Sequence, residues 1–316
     1  MSKGHTIRMA AQLSGLTPYV IRAWEKRYNA VTPSRSEGNQ RTYSEADVRR
    51  LKLLSGAVKS GYKISRIVSM PDDELEKLSE SEGIYPDSSV KQEARKLIGS
   101  CLESVSNMDA GALEDYLTRA AIDLDIIDTI DLVVVPLMEE LGEGWHQGRW
   151  RISHEHLASA VVRSFLANQL RSFDSTESAQ SAIVTTPSGQ MHELGSLSAA
   201  LAAASAGFHV IYLGSNIPAS EIIRSAEETG AVAVLISIVF PGSTTKIRQE
   251  IDTLRRHLPK NCRLILGGSS AGPHLLDGEN RHPQNMKLFR NELLAIRRSM
   301  SQDHDAASLV SDPFSR

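Results

Sequence analysis

The sequence has few cysteines and no long apolar run. Its two cysteines, Cys101 and Cys262, lie far apart and match neither a zinc-binding spacing nor a disulfide framework, which suits a reducing compartment. The first residues lack the apolar core of a signal peptide, and there is no run of about 18 apolar residues, which a membrane span requires. We therefore expect a soluble, cytoplasmic protein with no membrane partner.

The charge of the chain is unevenly distributed, although its composition is that of an ordinary globular protein. Residues 1–60 contain 11 Lys or Arg against 4 Asp or Glu, a net charge of +7, whereas the rest of the chain has a net charge of −10. A basic amino-terminal module on an acidic body predicts a polyanionic partner for that module. At 316 residues, the chain is long enough for two or three domains.

The amino-terminal residues follow the pattern of a winged helix-turn-helix. A short helix and a glycine-containing turn precede a second helix over 18–28, for which Thr17 is the predicted N-cap. The segment 31–43, with Gly38 and Asn39 near its tip, predicts a β-hairpin wing. This module is the expected site of polyanion binding.

Four segments of this module resemble the DNA-binding domain of MerR-family regulators. They are residues 22–28 (RAWEKRY), 33–35 (PSR), 40–44 (QRTYS) and 47–51 (DVRRL). The resemblance implies a dimer on a pseudo-palindromic operator, with DNA contacts from the second helix and the wing. The candidate DNA-binding residues are Thr17, Tyr19, Arg22, Lys26, Arg35, Asn39 and Arg41. Trp24 has the spacing of an apolar helix face, so it is predicted to be a core residue.

From about residue 178, apolar strands alternate with helices. Strands predicted over 182–185, 208–213, 232–239 and 263–266 indicate a doubly wound parallel sheet. His192 lies on the loop after the first of these strands, where open α/β sheets bind ligands. An imidazole there can reach a transition metal carried by a ligand.

These strand ends resemble the cobalamin-binding domain of methionine synthase and its relatives, whose signature is acid-x-His-x-x-Gly, then Ser-x-Leu, then Gly-Gly. The resemblance implies that His192 replaces the nucleotide base as the lower axial ligand of cobalt. It also implies a channel for the displaced tail, lined by Gly195, Ser237, Gly267 and Gly268. The chain departs from the signature at Gln190, which replaces the acid, and at Val239, which replaces Leu. Gln190 brings no charge but can accept a hydrogen bond from the imidazole.

Between the two modules, helical stretches over 90–105, 110–123, 126–142 and 153–173 predict an up-down four-helix bundle. Residues 145–156 concentrate three histidines, two tryptophans and a glutamate before the last of these helices. Trp145, followed after nine residues by Glu155 and His156, resembles the signature of the CarH/LitR group of light-sensing, adenosylcobalamin-dependent MerR regulators.

This second resemblance implies that the bundle caps the upper face of adenosylcobalamin. Trp145 would pack on the adenosyl group, and Glu155, next to His156, would hydrogen-bond it. His146 would ligate cobalt after light breaks the cobalt–carbon bond. His154 is predicted to face solvent, and because consecutive helical side chains point in different directions, residues 154–156 make a poor zinc site.

The sequence thus predicts a multidomain protein. Its parts are a MerR-type winged helix-turn-helix at 1–75, a linker at 76–89, a four-helix bundle at 90–175, an α/β doubly wound, Rossmann-like cobalamin-binding domain at 178–300, and a disordered tail at 301–316. The expected function is that of a light-responsive, nucleoid-associated transcriptional repressor, not an enzyme, forming a dimer of dimers in the dark. Two alternatives remain: a corrinoid methyl carrier or methyltransferase component, and a MerR-type regulator that lacks cobalamin or senses another ligand such as a bilin.

Overall fold

The computed structural model describes residues 4–35, 40–59, 62, 64–80, 88–173, 179–240, 244–276 and 285–310. The chain separates into two compact units, Met1–Asp174 and Ser175–Arg316. Among the helices of the described ranges, none has both the length and the apolar character needed to cross a bilayer.

The first unit begins with a winged helix-turn-helix. Its helices are α1 (Ile7–Ser14), α2 (Pro18–Tyr28), α3 (Glu45–Lys59), α4 (Ile64–Ile67) and α5 (Asp72–Glu80). The antiparallel strands of its wing are β1 (Ser34–Arg35) and β2 (Arg41–Thr42). Gly15 adopts a left-handed conformation at the end of α1 (φ 68°), and the hydroxyl of Thr17 accepts a hydrogen bond from the backbone N–H of Val20, so the turn and the start of α2 are set locally. Trp24 is fully buried, as predicted.

The helical bundle completes the first unit. Its helices are α6 (Ser88–Ser106), α7 (Ala110–Asp123), α8 (Ile126–Thr129), α9 (Val135–His146) and α10 (Ile152–Arg171). A π-helical segment, Ile130–Val134, interrupts the single helix predicted over 126–142. Pro136 follows this segment at the start of α9, and its lack of a backbone N–H removes one regular helical hydrogen bond there.

The second unit is a parallel sheet covered by helices, as predicted. Its strands are β3 (Ser181–Pro187), β4 (His209–Ile217), β5 (Ala233–Ser237) and β6 (Arg263–Gly267). Its helices are α11 (Leu194–Ser205), α12 (Ala219–Thr229), α13 (Thr244–His257) and α14 (Met286–Val310), with a 3₁₀ turn at Gly272–His274. The strand order is β4-β3-β5-β6, so the chain leaves β3 to one side and returns on the other. That reversal opens a crevice at the carboxyl ends of β3 and β5.

Two boundaries differ from the sequence analysis. Helix α5 extends to Glu80, inside the stretch assigned to the linker, and α14 continues through residues 301–310, which were assigned to a tail. Residues 76–80 are mostly Glu, Lys and Leu, which favour helix, whereas 301–310 contain several Ser and Asp, so a polar composition alone did not end these helices.

A pair of glycine substitutions in α9 tests the packing at the end of the bundle. A Cβ added at Gly144 would lie 2.2 Å from Trp150 Cδ1, whereas one added at Gly142 meets nothing within 4 Å. Gly144→Ala should therefore lower the free energy of unfolding by about 1–3 kcal/mol through overpacking. Gly142→Ala should leave it unchanged or raise it by up to about 1 kcal/mol.

Urea unfolding followed by tryptophan fluorescence measures this difference, because all three tryptophans lie in the first unit. Equal losses of stability in the two variants would contradict the close contact between Gly144 and Trp150.

Candidate functional site

The loop that carries His192 is held at the crevice by its neighbours on the β4 side. It spans residues 188–193, between the end of β3 and the start of α11. The backbone N–H of Gly189 donates to Oδ1 of Asn216 at 2.8 Å. The hydroxyl of Thr186 donates to the carbonyl of Gln190 at 2.5 Å and accepts from the backbone N–H of Asn216 at 2.8 Å. The loop is therefore fastened to the end of β4.

Gln190 fastens the same loop to the end of β5. Its side chain is fully buried, and Oε1 accepts hydrogen bonds from the backbone N–H groups of Val239 (3.2 Å) and Phe240 (2.9 Å). Its Nε2 donates to the carbonyl of Phe240 at 2.7 Å. The expectation that Gln190 hydrogen-bonds the imidazole of His192 is wrong here, because both ends of its amide are used by the backbone after β5. A carboxylate at position 190 could accept the hydrogen bonds from Val239 and Phe240, but it could not donate one to the carbonyl of Phe240.

His192 itself is exposed and is backed by an aromatic ring. Its imidazole stacks on the ring of Phe240, with 5.8 Å between centroids and 11° between planes. Among the described residues, none hydrogen-bonds its ring nitrogens, so they are available to a ligand. Met191 and Phe240 (52% exposed) flank it with apolar surface. The sequence analysis missed Phe240, whose only signal was an aromatic residue three positions after β5.

The structure brings together the four residues of the predicted tail channel. They line one slot and are Gly195, Ser237, Gly267 and Gly268. A Cβ at Gly195 would lie 2.8 Å from Ser237 Oγ, so only glycine leaves the slot open there. Gly268 has a φ of +99°, and its Cβ would lie 2.4 Å from the carbonyl oxygen of Ile238. At Gly267 a Cβ would meet nothing within 4 Å, which shows that this wall faces open space.

The remaining walls of the slot are apolar. Helix α14 contributes Met286 and Phe289, and α11 contributes Ala199. Cγ2 of Val239 lies 3.4 Å from the position of a Cβ at Gly195, at the rim between the slot and the loop of His192. The sequence analysis did not find the contribution of α14, because no strand-end motif marks that helix. The slot suits a flat, mostly apolar group that makes few polar contacts.

The upper-face candidates lie together at one end of the bundle in the first unit. Trp145 (44% exposed) and His146 end α9, with 4.8 Å between their ring centroids. Glu155 lies in the first turn of α10, where it accepts a hydrogen bond from Ser159 Oγ at 2.6 Å and lies 3.3 Å from Nδ1 of His156. The short connection between the two helices brings these pairs to the same end. They form an exposed surface with an aromatic ring, two imidazoles and a carboxylate.

The third histidine of this segment is buried, which corrects the expectation that His154 faces solvent. His154 is only 8% exposed, and its Nδ1 accepts a hydrogen bond from the backbone N–H of Arg151. Its ring meets Trp150 edge-on at 5.5 Å, and Trp150 packs on Gly144. His154 and Trp150 therefore hold the connection between α9 and α10, because the helix start needs an acceptor for its first N–H groups.

The candidate DNA-reading side chains on α2 are mostly exposed. Tyr19, Arg22 and Lys26 reach solvent. Thr17 does not: it is only 3% exposed and its hydroxyl caps α2, so a direct DNA contact from its side chain is not supported. Its role is to set the start of the recognition helix.

On the wing, Arg35 is exposed, and Nε of Arg41 donates to Oε2 of Glu25 at 2.8 Å. Tyr43 donates to the same carboxylate, so Glu25 ties the wing to α2. The predicted contact Asn39 lies outside the described residues.

Comparison with known families matches each of these parts. Residues 5–72 match the MerR HTH family of regulatory proteins. Residues 97–168 and 180–279 match two models of B12 binding domains, which cover the bundle and the parallel sheet respectively. The chain joins a MerR-type DNA-binding domain to a B12-binding module.

Two curated relatives match this chain over most of their length. The chain is 29% identical over 271 residues to the HTH-type transcriptional repressor CarH of Myxococcus xanthus, covering 85% of this chain and 90% of the relative. It is 27% identical over 272 residues to the repressor CarA of the same organism, covering 85% and 88%. The monomethylamine corrinoid protein of Methanosarcina barkeri shares the fold, with a TM-score of 0.53 at 14% identity, over 64% of this chain and 99% of that one.

The residues of the B12-binding module fit a corrinoid. Among the described residues, no group of three His, Cys, Asp or Glu side chains could enclose a bare metal ion. His192 can offer only one nitrogen, which suits a metal whose other positions are filled by its own macrocycle. The glycine-lined slot beside it leaves room for a further part of such a ligand.

Substitutions at Gln190 and His192 distinguish the residue that holds the loop in place from the candidate metal-binding residue. Gln190→Ala should lower the free energy of unfolding of the second unit by about 1–3 kcal/mol, because it leaves two backbone N–H groups and one carbonyl without their buried partner. His192→Ala should change it by less than about 0.5 kcal/mol, because the ring is exposed. Urea unfolding followed by circular dichroism makes the comparison. A larger loss from His192→Ala than from Gln190→Ala would contradict this assignment.

Proposed function

We propose that this chain is an adenosylcobalamin-dependent transcriptional repressor whose DNA binding responds to light. The observation that carries the proposal is the exposed imidazole of His192 beside a glycine-lined slot, in a chain that also carries a MerR-type helix-turn-helix. The two Myxococcus xanthus relatives, both named as repressors, support the sign of the regulation. The site of action would be operator DNA in the nucleoid.

The second unit would hold the lower face of the corrinoid. His192 would donate an imidazole nitrogen to cobalt, with Phe240 keeping its ring plane in place. Ser237, on the floor of the slot, can donate or accept a hydrogen bond from the base of the tail. Gln190 would act through the backbone by fixing the loop after β5 against the loop of His192.

The first unit would contact the upper ligand. The residues proposed for this role are Trp145, His146, Glu155 and His156. An indole face can cover a nucleoside by stacking, and a carboxylate accepts hydrogen bonds from ribose hydroxyls. When bound, adenosylcobalamin would supply a cobalt–carbon bond that light can break. His146 is the residue on this surface that we propose would hold the metal through its imidazole.

The DNA contacts would come from the basic module. Tyr19, Arg22 and Lys26 would face the major groove, and Arg35 and Arg41 the phosphates. We propose a dimer of dimers in the dark, because several modules on one operator raise apparent affinity without new base contacts.

A corrinoid methyl carrier is the second candidate, because the bundle and sheet share their fold with a corrinoid protein. The DNA-binding domain argues against it, since methyl transfer has no use for a helix-turn-helix. The other alternative is a regulator that senses a different chromophore, and it is distinguished by whether the chain binds cobalamin.

The deciding experiment mixes the purified chain with adenosylcobalamin in the dark. We expect a spectrum in which histidine has replaced the nucleotide base on cobalt, a larger species on gel filtration than after green illumination, and tighter DNA binding in the dark. Failure to bind the corrinoid would overturn the proposal, and binding without any effect on DNA would favour a methyl carrier.

Two variants probe the lower face separately. His192→Ala should abolish the histidine-ligated spectrum. A Cβ at position 267 meets no protein atom within 4 Å, so Gly267→Ala should leave the melting temperature near that of the parent, while the added methyl group narrows the slot and weakens cobalamin binding about tenfold. Absorption titration measures both. An unchanged spectrum in His192→Ala would exclude axial ligation by this residue.

A further inference from the structure

Helix α7 of the bundle is joined to the recognition helix α2 within the first unit. The indole N–H of Trp24 donates to the backbone carbonyl of Ile122 at 2.9 Å. The hydroxyl of Tyr28 donates to Oδ1 of Asp123 at 2.7 Å. The side chain of Ile122 is buried and belongs to the same apolar core as Trp24. The end of α7 therefore fills a place in the core of the DNA-binding module.

Beyond this junction, the two helices face each other across an open cleft. The α2 wall includes Tyr19, Arg22 and Lys26, which are the candidate DNA-reading residues. The α7 wall includes Asp115, Tyr116 and Arg119. Contacts at the closed end of the cleft include the ion pair of Arg27 with Asp123, at 3.9 Å. The surface expected to meet DNA is thus turned toward a protein helix.

The electrostatics of the two tyrosines agree with this proximity. Burial and the hydrogen bond to Asp123 raise the pKa of Tyr28 to about 12. Burial also raises the pKa of Tyr19, Arg27 lowers it, and the carboxylate of Asp115 raises it. Residues of α7 therefore act on both ends of the recognition helix.

Helix α2 cannot enter the major groove of DNA while α7 lies beside it. The major groove is about 12 Å wide, and a helix with its side chains is about 10–12 Å across, so a helix that enters the groove has a phosphate strand on each side. Helix α7, joined to α2 at Trp24 and Tyr28 and facing the rest of it across the cleft, lies in the space that one of those strands needs. The docked arrangement and the DNA-bound arrangement exclude each other.

We propose that α7 is a docking surface for the DNA-reading face of α2, and that α2 must leave it before the chain binds DNA. The partner of this surface is the helix-turn-helix of the same chain. The contacts of the junction among the described residues include two hydrogen bonds, an ion pair and one buried side chain, and a junction of this kind can open without unfolding the bundle. Because α7 lies within the B12-binding match at 97–168, access to DNA is controlled from the ligand-binding bundle.

The test uses the full chain without cobalamin, so its outcome does not depend on the proposed cofactor. Tyr28→Phe removes one hydrogen bond to α7 and keeps the aromatic ring in the core. Asp123→Asn removes the charge that Tyr28 and Arg27 contact. Tyr62→Phe is the matched control. It also removes one tyrosine hydroxyl from the DNA-binding module, but no described hydrogen bond joins that hydroxyl to α7.

Affinity is measured by fluorescence anisotropy with a fluorescein-labelled duplex of mixed sequence at low salt. Tyr28→Phe and Asp123→Asn should each tighten binding roughly threefold to thirtyfold, because a weakened docked state competes less with DNA. Tyr62→Phe should bind like the parent chain. Unchanged or weaker binding in both variants would overturn the proposal.

Hydrogen exchange of the unaltered chain gives a second measurement that needs no variant. Adding the same duplex should raise the exchange rate of residues 119–123 at the end of α7, because their partners on α2 leave. Unchanged or slower exchange at these residues, with DNA bound, would show that docking survives DNA binding and would refute the proposal.

Discussion

The candidate ligand site depends on three hydrogen bonds made by one buried amide. Gln190 accepts from two backbone N–H groups and donates to one carbonyl on the segment after β5, and it does so from the loop that carries His192. This joins the carboxyl ends of β3 and β5 on either side of the switch point of the sheet. The stacked pair of His192 and Phe240 follows from that connection, because each ring stands on one of the two joined segments.

The parts of the fold that local signals define were predictable from the sequence. Helix α2 begins at Pro18 after its predicted Thr17 cap, and α7 begins at Ala110, the predicted start, where the structure shows Asp109 as the cap. The slot residues came together because all of them lie at or after the carboxyl ends of parallel strands, which share one edge of the sheet. The order of domains followed from the same patterns together with the charge of the amino-terminal module.

The parts that depend on neighbours in space were not predictable from the sequence. The hydrogen-bond partners of Gln190 and the ring that stacks on His192 depend on β5 lying beside β3. The sequence of either segment alone does not predict that pairing. His154 had the composition of an exposed helix start, but its burial depends on Trp150 packing across the turn onto Gly144. Likewise, the sequence of α7 gives no sign that its end completes the core around Trp24.

The loop of His192 offers little to free metal ions. The described residues offer metals no cluster of three potential ligands, and His192 stands on its exposed loop as a single donor. A single imidazole binds a hydrated divalent ion weakly. It also discriminates little among such ions, because selectivity comes from the number, type and arrangement of the ligands. Free zinc or nickel would then bind this position only weakly, and any selectivity for a metal there would come from the ligand that carries it.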